Sequence, residues 1–418
     1  MRAGSLPVER TSFVGRRTEI TRVRQLLSGA RLVTLVGPGG VGKTRLAIRV
    51  ASQMRHITPA GVCFVDLALV HDPALLPQQL AASLDVRDTT PRWLVASIAE
   101  VLGTRRMLVV LDNCEHVRDA CAVLVDALLS DCPKLRVLAT SRRPLVVAGE
   151  VRFVVPPLST TASSGRLSGA PSDAVDLLAE RARAVTPDFA VTAENAADVG
   201  ALCRRLDGLP LALELAAVRL RTLTPAQIID RLGDRLDLLQ RVGPAVSERQ
   251  QSLPAALEWS YRHLRPAEQL LWQRAAVFVG DFDLAAAEAV CTDPALPRET
   301  IMDALDGLVD ASVLGVYRRP DRVRFRMLET IRLFGGRLLD QLDGRTAVAR
   351  RHRDHYAQLV ADVDWVGPEQ VTPGPACRRT WPAARSTRVQ RGHTRRGTGW
   401  PWSRRRPLAL LAGPRSAQ

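Results

Sequence analysis

Along the first 158 residues, short apolar runs rich in β-branched residues alternate with stretches whose apolar positions recur every three to four places. The runs are strand-length and show no every-other-residue alternation, so they predict strands covered on both faces. They are Leu32–Val36, Gly61–Leu67, Arg106–Asp112, Leu135–Thr140 and Val151–Val155. Helical spacing falls between them, from Ile20 to Leu27, after Thr44, and over about 73–84, 91–102 and 117–129. Strands alternating with helices imply a mostly parallel sheet with helices on both faces. Past Ser159 the strand signal fades, and helical patterns follow over 172–185, 193–206, 211–220 and 225–232. A further helical set over 253–264, 267–276, 284–290 and 301–308 precedes two short strands, 313–317 and 323–326. Arg318-Arg319-Pro320-Asp321 turns between them, and a helix over 328–342 comes next. Helices closed by a β-hairpin are the winged-helix order. The expected layout is a leader (1–11), an α/β domain (12–158), a Ser/Thr/Gly-rich linker (159–171) and a helical domain (172–245). A winged-helix-like domain (246–342), a C-terminal helix (343–370) and a tail (371–418) complete it.

The first strand run stops at Gly37-Pro38-Gly39-Gly40-Val41-Gly42-Lys43-Thr44, and a helix pattern begins at once. This is the spacing G-x-x-x-x-G-K-T between strand and helix. Glycines let backbone N–H groups turn inward around phosphate oxygens, and the helix N-terminus adds its positive dipole end. Gly37, Gly39, Gly40, Val41, Gly42, Lys43 and Thr44 are therefore expected to hold a nucleotide, Lys43 reaching its β- and γ-phosphates from solvent. The Thr44 hydroxyl would ligate Mg²⁺. Lys43 is one of only two lysines in the chain, which makes a chance match improbable. The run Leu108–Asp112 ends in an acid that, beside such a loop, would hold Mg²⁺ through its water shell and serve catalysis with Lys43. An apolar run followed by Asp also occurs for purely structural reasons. Arg142 lies just past a strand end, where ligands sit in open α/β sheets, and is either a γ-phosphate contact or a solvated surface arginine.

Composition adds little that contradicts this. The net charge of +15 is concentrated in the tail: residues 371–418 carry eleven arginines and no acid, and subtracting them leaves +4 over 1–370. That tail, with Trp381, Trp400 and Trp402 among its arginines, reads as a disordered or frameshifted end, or as a single-strand nucleic-acid binder. Seven scattered cysteines without a C-x-x-C pair suit reduced thiols rather than disulfides or zinc. No apolar run approaches a membrane span and no signal core is visible, so a cytoplasmic protein without membrane contact is expected.

Taken together, the motifs resemble the STAND class of P-loop ATPases, nearest the bacterial LuxR/AfsR-type regulators, with NB-ARC switch proteins as wider relatives. The matching stretches are Phe13–Glu19, Gly37–Thr44, Leu108–His116 (L-V-V-L-D-N-C-E-H), Ala139–Leu145 (A-T-S-R-R-P-L) and Gly208–Ala212 (G-L-P-L-A), then Ser252–Tyr261 and Arg326–Arg332. The resemblance implies an ATP/ADP switch with Mg²⁺, its nucleotide held between an α/β P-loop domain, a helical domain and a winged helix. Val14, Gly15 and Arg16 would border adenine, Arg142 would sense γ-phosphate, and Gly208 and Pro210 would approach base and sugar. Two departures stand out. Asn113 occupies the place where many relatives carry a second, water-activating acid, and Glu115 has the wrong spacing for that role. Leu328 stands where related switches offer an M-H-D histidine to ADP.

The expectation is a regulatory ATP/ADP switch, at most a slow ATPase, within a transcriptional regulator. Protein partners or further sensor and effector domains, and a nucleotide-dependent oligomer, fit that reading. The alternatives are a rapidly cycling AAA-type ATPase and a winged-helix DNA-binding protein. Asn113 argues against the first. Against the second, the segment Ile301–Leu308 carries Asp303 and Asp306 and no arginine, so any DNA contact would be indirect.

Overall fold

The computed structural model describes residues 6–70, 72–86, 94–161, 172–232, 239, 252–319, 322–342 and 344–361. Most of the expected linker, the boundary expected at 245/246 and the whole tail lie outside the described residues. Met1–Ala357 form one compact unit and Gln358–Gln418 a second, of which only 358–361 are described.

The expected sheet is present. Strands β1 (Leu32–Val36), β2 (Val62–Asp66), β3 (Leu108–Asp112), β4 (Arg136–Ser141) and β5 (Glu150–Val154) line up in the order β2-β3-β4-β1-β5. Every pairing is parallel, with Val36 beside Ser141 and Asp66 beside Asp112. All five residues of β1 and of β3 are buried, which accounts for their unbroken apolar runs. Within β3, Leu108 and Val110 face one core and Val109 and Leu111 the other, as a strand's two-residue period requires. The first core is covered by α1 (Arg17–Gly29) and α2 (Lys43–Met54) through Val23, Leu27, Leu46 and Val50. The second lies under α3 (Leu76–Ser83), α4 (Leu94–Leu102) and α5 (Arg118–Asp131), with Leu80, Ile98 and Leu124 among its residues. Because the strands are parallel, the loops after β1, β3 and β4 all emerge at one edge.

The first core runs on into the helices that follow. These are α6 (Asp173–Val185), α7 (Ala196–Arg205), α8 (Pro210–Arg219) and α9 (Pro225–Leu232). Next come α10 (Leu253–Arg262), α11 (Pro266–Ala275), α12 (Leu284–Cys291) and α13 (Arg298–Asp310). Strands β6 (Leu314–Arg319) and β7 (Arg322–Met327) then form an antiparallel pair in the expected place, followed by α14 (Glu329–Gln341) and α15 (Arg345–Ala361). Phe282 extends the hairpin by exchanging backbone hydrogen bonds with Phe325. Trp272 of α11 is buried and donates its indole N–H to the Ile331 carbonyl of α14, 3.1 Å away. In α13, Ile301, Ala304, Leu305 and Leu308 turn inward while Asp303 and Asp306 stay exposed. The six described cysteines are buried, and no disulfide forms among the described residues.

Candidate functional site

Gly37–Thr44 joins β1 to α2 at the carboxyl edge of the sheet. Gly40 (φ 79°) and Gly42 (φ 94°) take left-handed conformations that side chains resist, and Gly42 opens α2 with no side-chain cap. The first N–H groups of α2 are thus presented by a loop that only glycine forms cheaply. Lys43 does not face solvent as its motif suggests. It is half-buried, its ammonium donating to the carbonyls of Gly37 (2.7 Å) and Pro38 (3.1 Å). It makes no ion pair among the described residues, and burial pulls its pKa down to about 8. An ammonium held by carbonyls alone at a helix N-terminus is a site for an anion.

Asp112 ends β3 and is buried, and burial pushes its carboxyl up to about 6. Two hydroxyls oppose that shift by donating to Oδ1: Thr44 at 2.8 Å and Thr140 at 2.6 Å. Asn113 donates from its amide to Asp112 Oδ2 (3.0 Å) and Asp66 Oδ1 (3.1 Å). Thr44 and Asp112, expected to share Mg²⁺, are therefore in direct contact. A hydroxyl and a carboxylate in contact, beside a lysine lacking an acid partner, suit a Mg²⁺–polyphosphate. Bound there, the cation would neutralise phosphate charge.

Arg142 follows β4 and borders the loop, its Nη2 3.1 Å from where a Cβ on Gly39 would stand. Its Nε pairs with Glu115 Oε1 (3.2 Å), its Nη1 donates to the Ala256 carbonyl (3.1 Å), and the guanidinium lies 4.4 Å from the Trp259 ring centroid. It is buried, not a solvated surface arginine. Arg16 is buried too and clamps two backbone carbonyls at 2.7 Å, those of Pro156 and Val41. Val14 and Gly15 lead into that clamp, with Gly15 left-handed at φ 70°.

Of the two residues expected from the helical segment, Pro210 borders the loop, while Gly208 packs on the Leu158 backbone. Leu211 donates its N–H to the Gly40 carbonyl (3.2 Å), and Pro210 Cγ lies 3.8 Å from where a Cβ on Gly42 would stand. Gly208 (φ 64°) packs against the Leu158 backbone, and Leu158 N–H donates to its carbonyl (2.9 Å). Asp207 escapes sequence reasoning. Its carboxylate accepts from Glu329 N (3.0 Å), Thr330 N (2.9 Å) and Thr330 Oγ1 (2.9 Å), capping α14 directly after Leu328. An acid just before a glycine between helices is the weak signal it offers. Thr140 and Trp259 lie in matching stretches, but nothing in those stretches gives either a role at the site.

A family model, AAA domain, matches residues 24–151. The chain is 44% identical over 344 residues to a Mycobacterium tuberculosis protein named HTH-type transcriptional regulator Rv0890c, covering 82% of this chain and 37% of that one. Against the regulatory protein AfsR of Streptomyces coelicolor, identity is 32% over 356 residues, 78% of this chain and 33% of AfsR. The chain thus spans about a third of the length of these regulators. Among solved structures, the Walker-type ATPase PABY2304 of Pyrococcus abyssi shares the fold at TM-score 0.50 and 15% identity, over 79% of this chain and 97% of that one. The uncharacterized protein Rv0894 of M. tuberculosis is 39% identical over 349 residues, 83% of this chain and 86% of its own length. With likeness spread along most of both chains, this protein, built on a P-loop AAA domain, belongs to the family of Rv0894.

Proposed function

We propose that the chain is an ATP/ADP-dependent regulatory switch of the STAND class, NB-ARC-like and slow in hydrolysis, acting in cytoplasmic transcriptional control. The observation that carries this reading is the five-residue run Asp207–Leu211. Asp207 caps α14, Gly208 packs on Leu158, and Leu211 bonds to the phosphate loop at Gly40. A phosphate drawing Lys43 from its carbonyls would be felt along this run by helices remote from the loop. In this reading the α/β domain spans 12–158, 172–245 is the helical domain, and 246–342 a winged helix that serves as an interaction module.

Nucleotide would lie among Gly37–Thr44, Arg142 and the Gly208–Pro210 turn. Lys43 would hold phosphate, and Thr44 and Asp112 would hold Mg²⁺. Val14 and Gly15 would flank the base. Arg16, with both terminal nitrogens bonded to backbone carbonyls, would shape that pocket. The names of the regulator relatives support the transcriptional role. The exposed acids of α13 weigh against direct DNA reading by that helix.

Because Asn113 supplies no carboxylate, steady-state turnover is expected below about 1 s⁻¹, the lower end of ordinary enzyme rates. Phosphate release by the purified chain measures this. Several turnovers per second would favour a rapidly cycling ATPase instead.

A further inference from the structure

The phosphate loop leaves the sheet at its carboxyl edge. The opposite, amino edge is built from the connections that lead into β1, β2, β3 and β4, and each of them is basic. Arg31 precedes β1, Arg55 and His56 lie ahead of β2, Arg105 and Arg106 ahead of β3, and Lys134 and Arg136 mark the start of β4. These four strands are neighbours in the sheet. Backbone hydrogen bonds hold their entries side by side. Ala60 N–H donates to the Arg106 carbonyl (3.1 Å), Arg136 N–H to the Met107 carbonyl (3.0 Å) and Val137 N–H to the Arg31 carbonyl (2.7 Å). Adjacent strands lie about 4.8 Å apart, so four of them spread the basic residues over roughly 15 Å.

Two of these cations close helix ends. Arg31 donates to the Leu129 carbonyl in the last turn of α5 (2.6 Å), and Arg136 to the Ser28 carbonyl in the last turn of α1 (3.1 Å). Cations there offset the negative end of a helix. Arg55, Arg106 and Lys134 are different. All three are exposed, and none makes a side-chain hydrogen bond or an ion pair among the described residues. The exposed acids at or just past the ends of α3, α4 and α5 are Asp85, Glu100 and Asp131, and they pair with none of the three.

Like charges set in a row repel one another, so the row adds nothing to the stability of the chain by itself. A protein partner would call for an apolar centre with aromatic anchors. In these connections Ile57 alone among the large apolar side chains is exposed. Spaced cations with little apolar surface suit the phosphates of a nucleic acid instead. One duplex strand offers a charge about every 3.4 Å, roughly four along such a row. We propose that the amino edge of the sheet is a docking surface for duplex DNA, with Arg55, Arg106 and Lys134 contacting its phosphates. The choice of DNA rests on the transcriptional reading above, whereas the edge itself asks only for phosphates. The contact is independent of base sequence, lies across the sheet from the nucleotide loop and does not use α13 with its exposed acids.

Fluorescence anisotropy of a short labelled DNA duplex of arbitrary sequence, read over a series of salt concentrations with the full chain, tests this. Each phosphate contact contributes about 0.9 to the slope of log affinity against log salt. The variant Arg55→Gln/Arg106→Gln/Lys134→Gln should therefore lose about 2–3 from that slope while binding ADP as the wild type does. A control, Arg298→Gln/Arg326→Gln/Arg353→Gln, removes the same charge from other exposed arginines and should keep the wild-type slope. The basic tail is present in every protein compared, so its share cancels.

Equal slopes in the wild type and the edge variant overturn the assignment, as does an equal loss in the control. Tighter binding of duplex RNA or of polyglutamate than of the DNA would give the edge to another polyanion and overturn it too. A wild-type chain that binds neither ATP nor ADP would instead defeat the switch reading without altering this comparison.

Discussion

Lys43→Ala should lose ATP affinity by a factor of several hundred and ADP affinity by about ten- to a hundredfold, because charge-assisted hydrogen bonds are worth roughly 1.5–3 kcal/mol each and Lys43 would reach two phosphates of ATP but one of ADP. The fold itself should gain rather than suffer. The folded pKa of about 8 lies below the ordinary lysine value of 10.5, so a protonated Lys43 destabilises the folded chain at neutral pH. That penalty is fully present below about 8 and fades as pH rises towards 10.5. The variant should therefore be at least as stable as wild type at pH 7 and lack this pH dependence. The same groups set a window for Mg²⁺-nucleotide binding by the wild type. Affinity should rise as pH passes about 6, where Asp112 ionises, and fall above about 8, where Lys43 discharges. Isothermal titration at pH 5, 7 and 9 checks the window, and wild-type affinity in Lys43→Ala would remove the lysine from the site.

Gly208→Ala should be the most damaging single methyl in the junction between the sheet and the helices. A Cβ there would overlap the Leu158 carbonyl oxygen and crowd Thr160 Cγ2 at 3.2 Å, on a backbone with φ 64°. Left-handed backbone costs a non-glycine residue about 1–2 kcal/mol. Relieving the overlap must also disturb the 2.9 Å bond from Leu158 N–H to Gly208 O, worth about 1 kcal/mol. A total of about 2–3 kcal/mol is expected, read as a shift in urea midpoint at constant slope. Gly149→Ala is the control, since Gly149 is also left-handed (φ 75°) but has nothing within 4 Å of the added Cβ. Equal losses in the two variants would mean that the Leu158 contact does not hold the junction. Nucleotide affinity should fall in Gly208→Ala as well, because Leu211, three residues on, bonds to Gly40.

Much of the fold is legible because its strands are buried on both sides. Unbroken apolar runs such as Leu32–Val36, separated by helical patterns, fit little besides the interior of a covered sheet. The G-x-x-x-x-G-K-T spacing marks the loop for a similar reason: each residue type has a local mechanical role that survives any tertiary context. What stays hidden depends on how the chain turns after leaving the sheet. Nothing in the letters Asp112–His116 shows that Asn113 is left-handed or that Glu115 turns back to pair with Arg142. A motif places Lys43 in solvent because it says what a lysine reaches for, not what holds it meanwhile. The carbonyls of Gly37 and Pro38 are contacts a sequence does not display. Asp207 is invisible because its partners lie more than 120 residues away on α14. Leu328, set by the resemblance where related switches offer a histidine, is half-buried just before the helix that Asp207 caps.

The switch reading requires a nucleotide that stays bound while the chain is at rest. Its most direct test is to denature the purified protein and identify the nucleotide released by anion-exchange chromatography. The account predicts ADP at close to one molecule per chain in the wild type and none in Lys43→Ala. A wild-type chain that emerges empty, with ADP exchanging as fast as it is added, would contradict it.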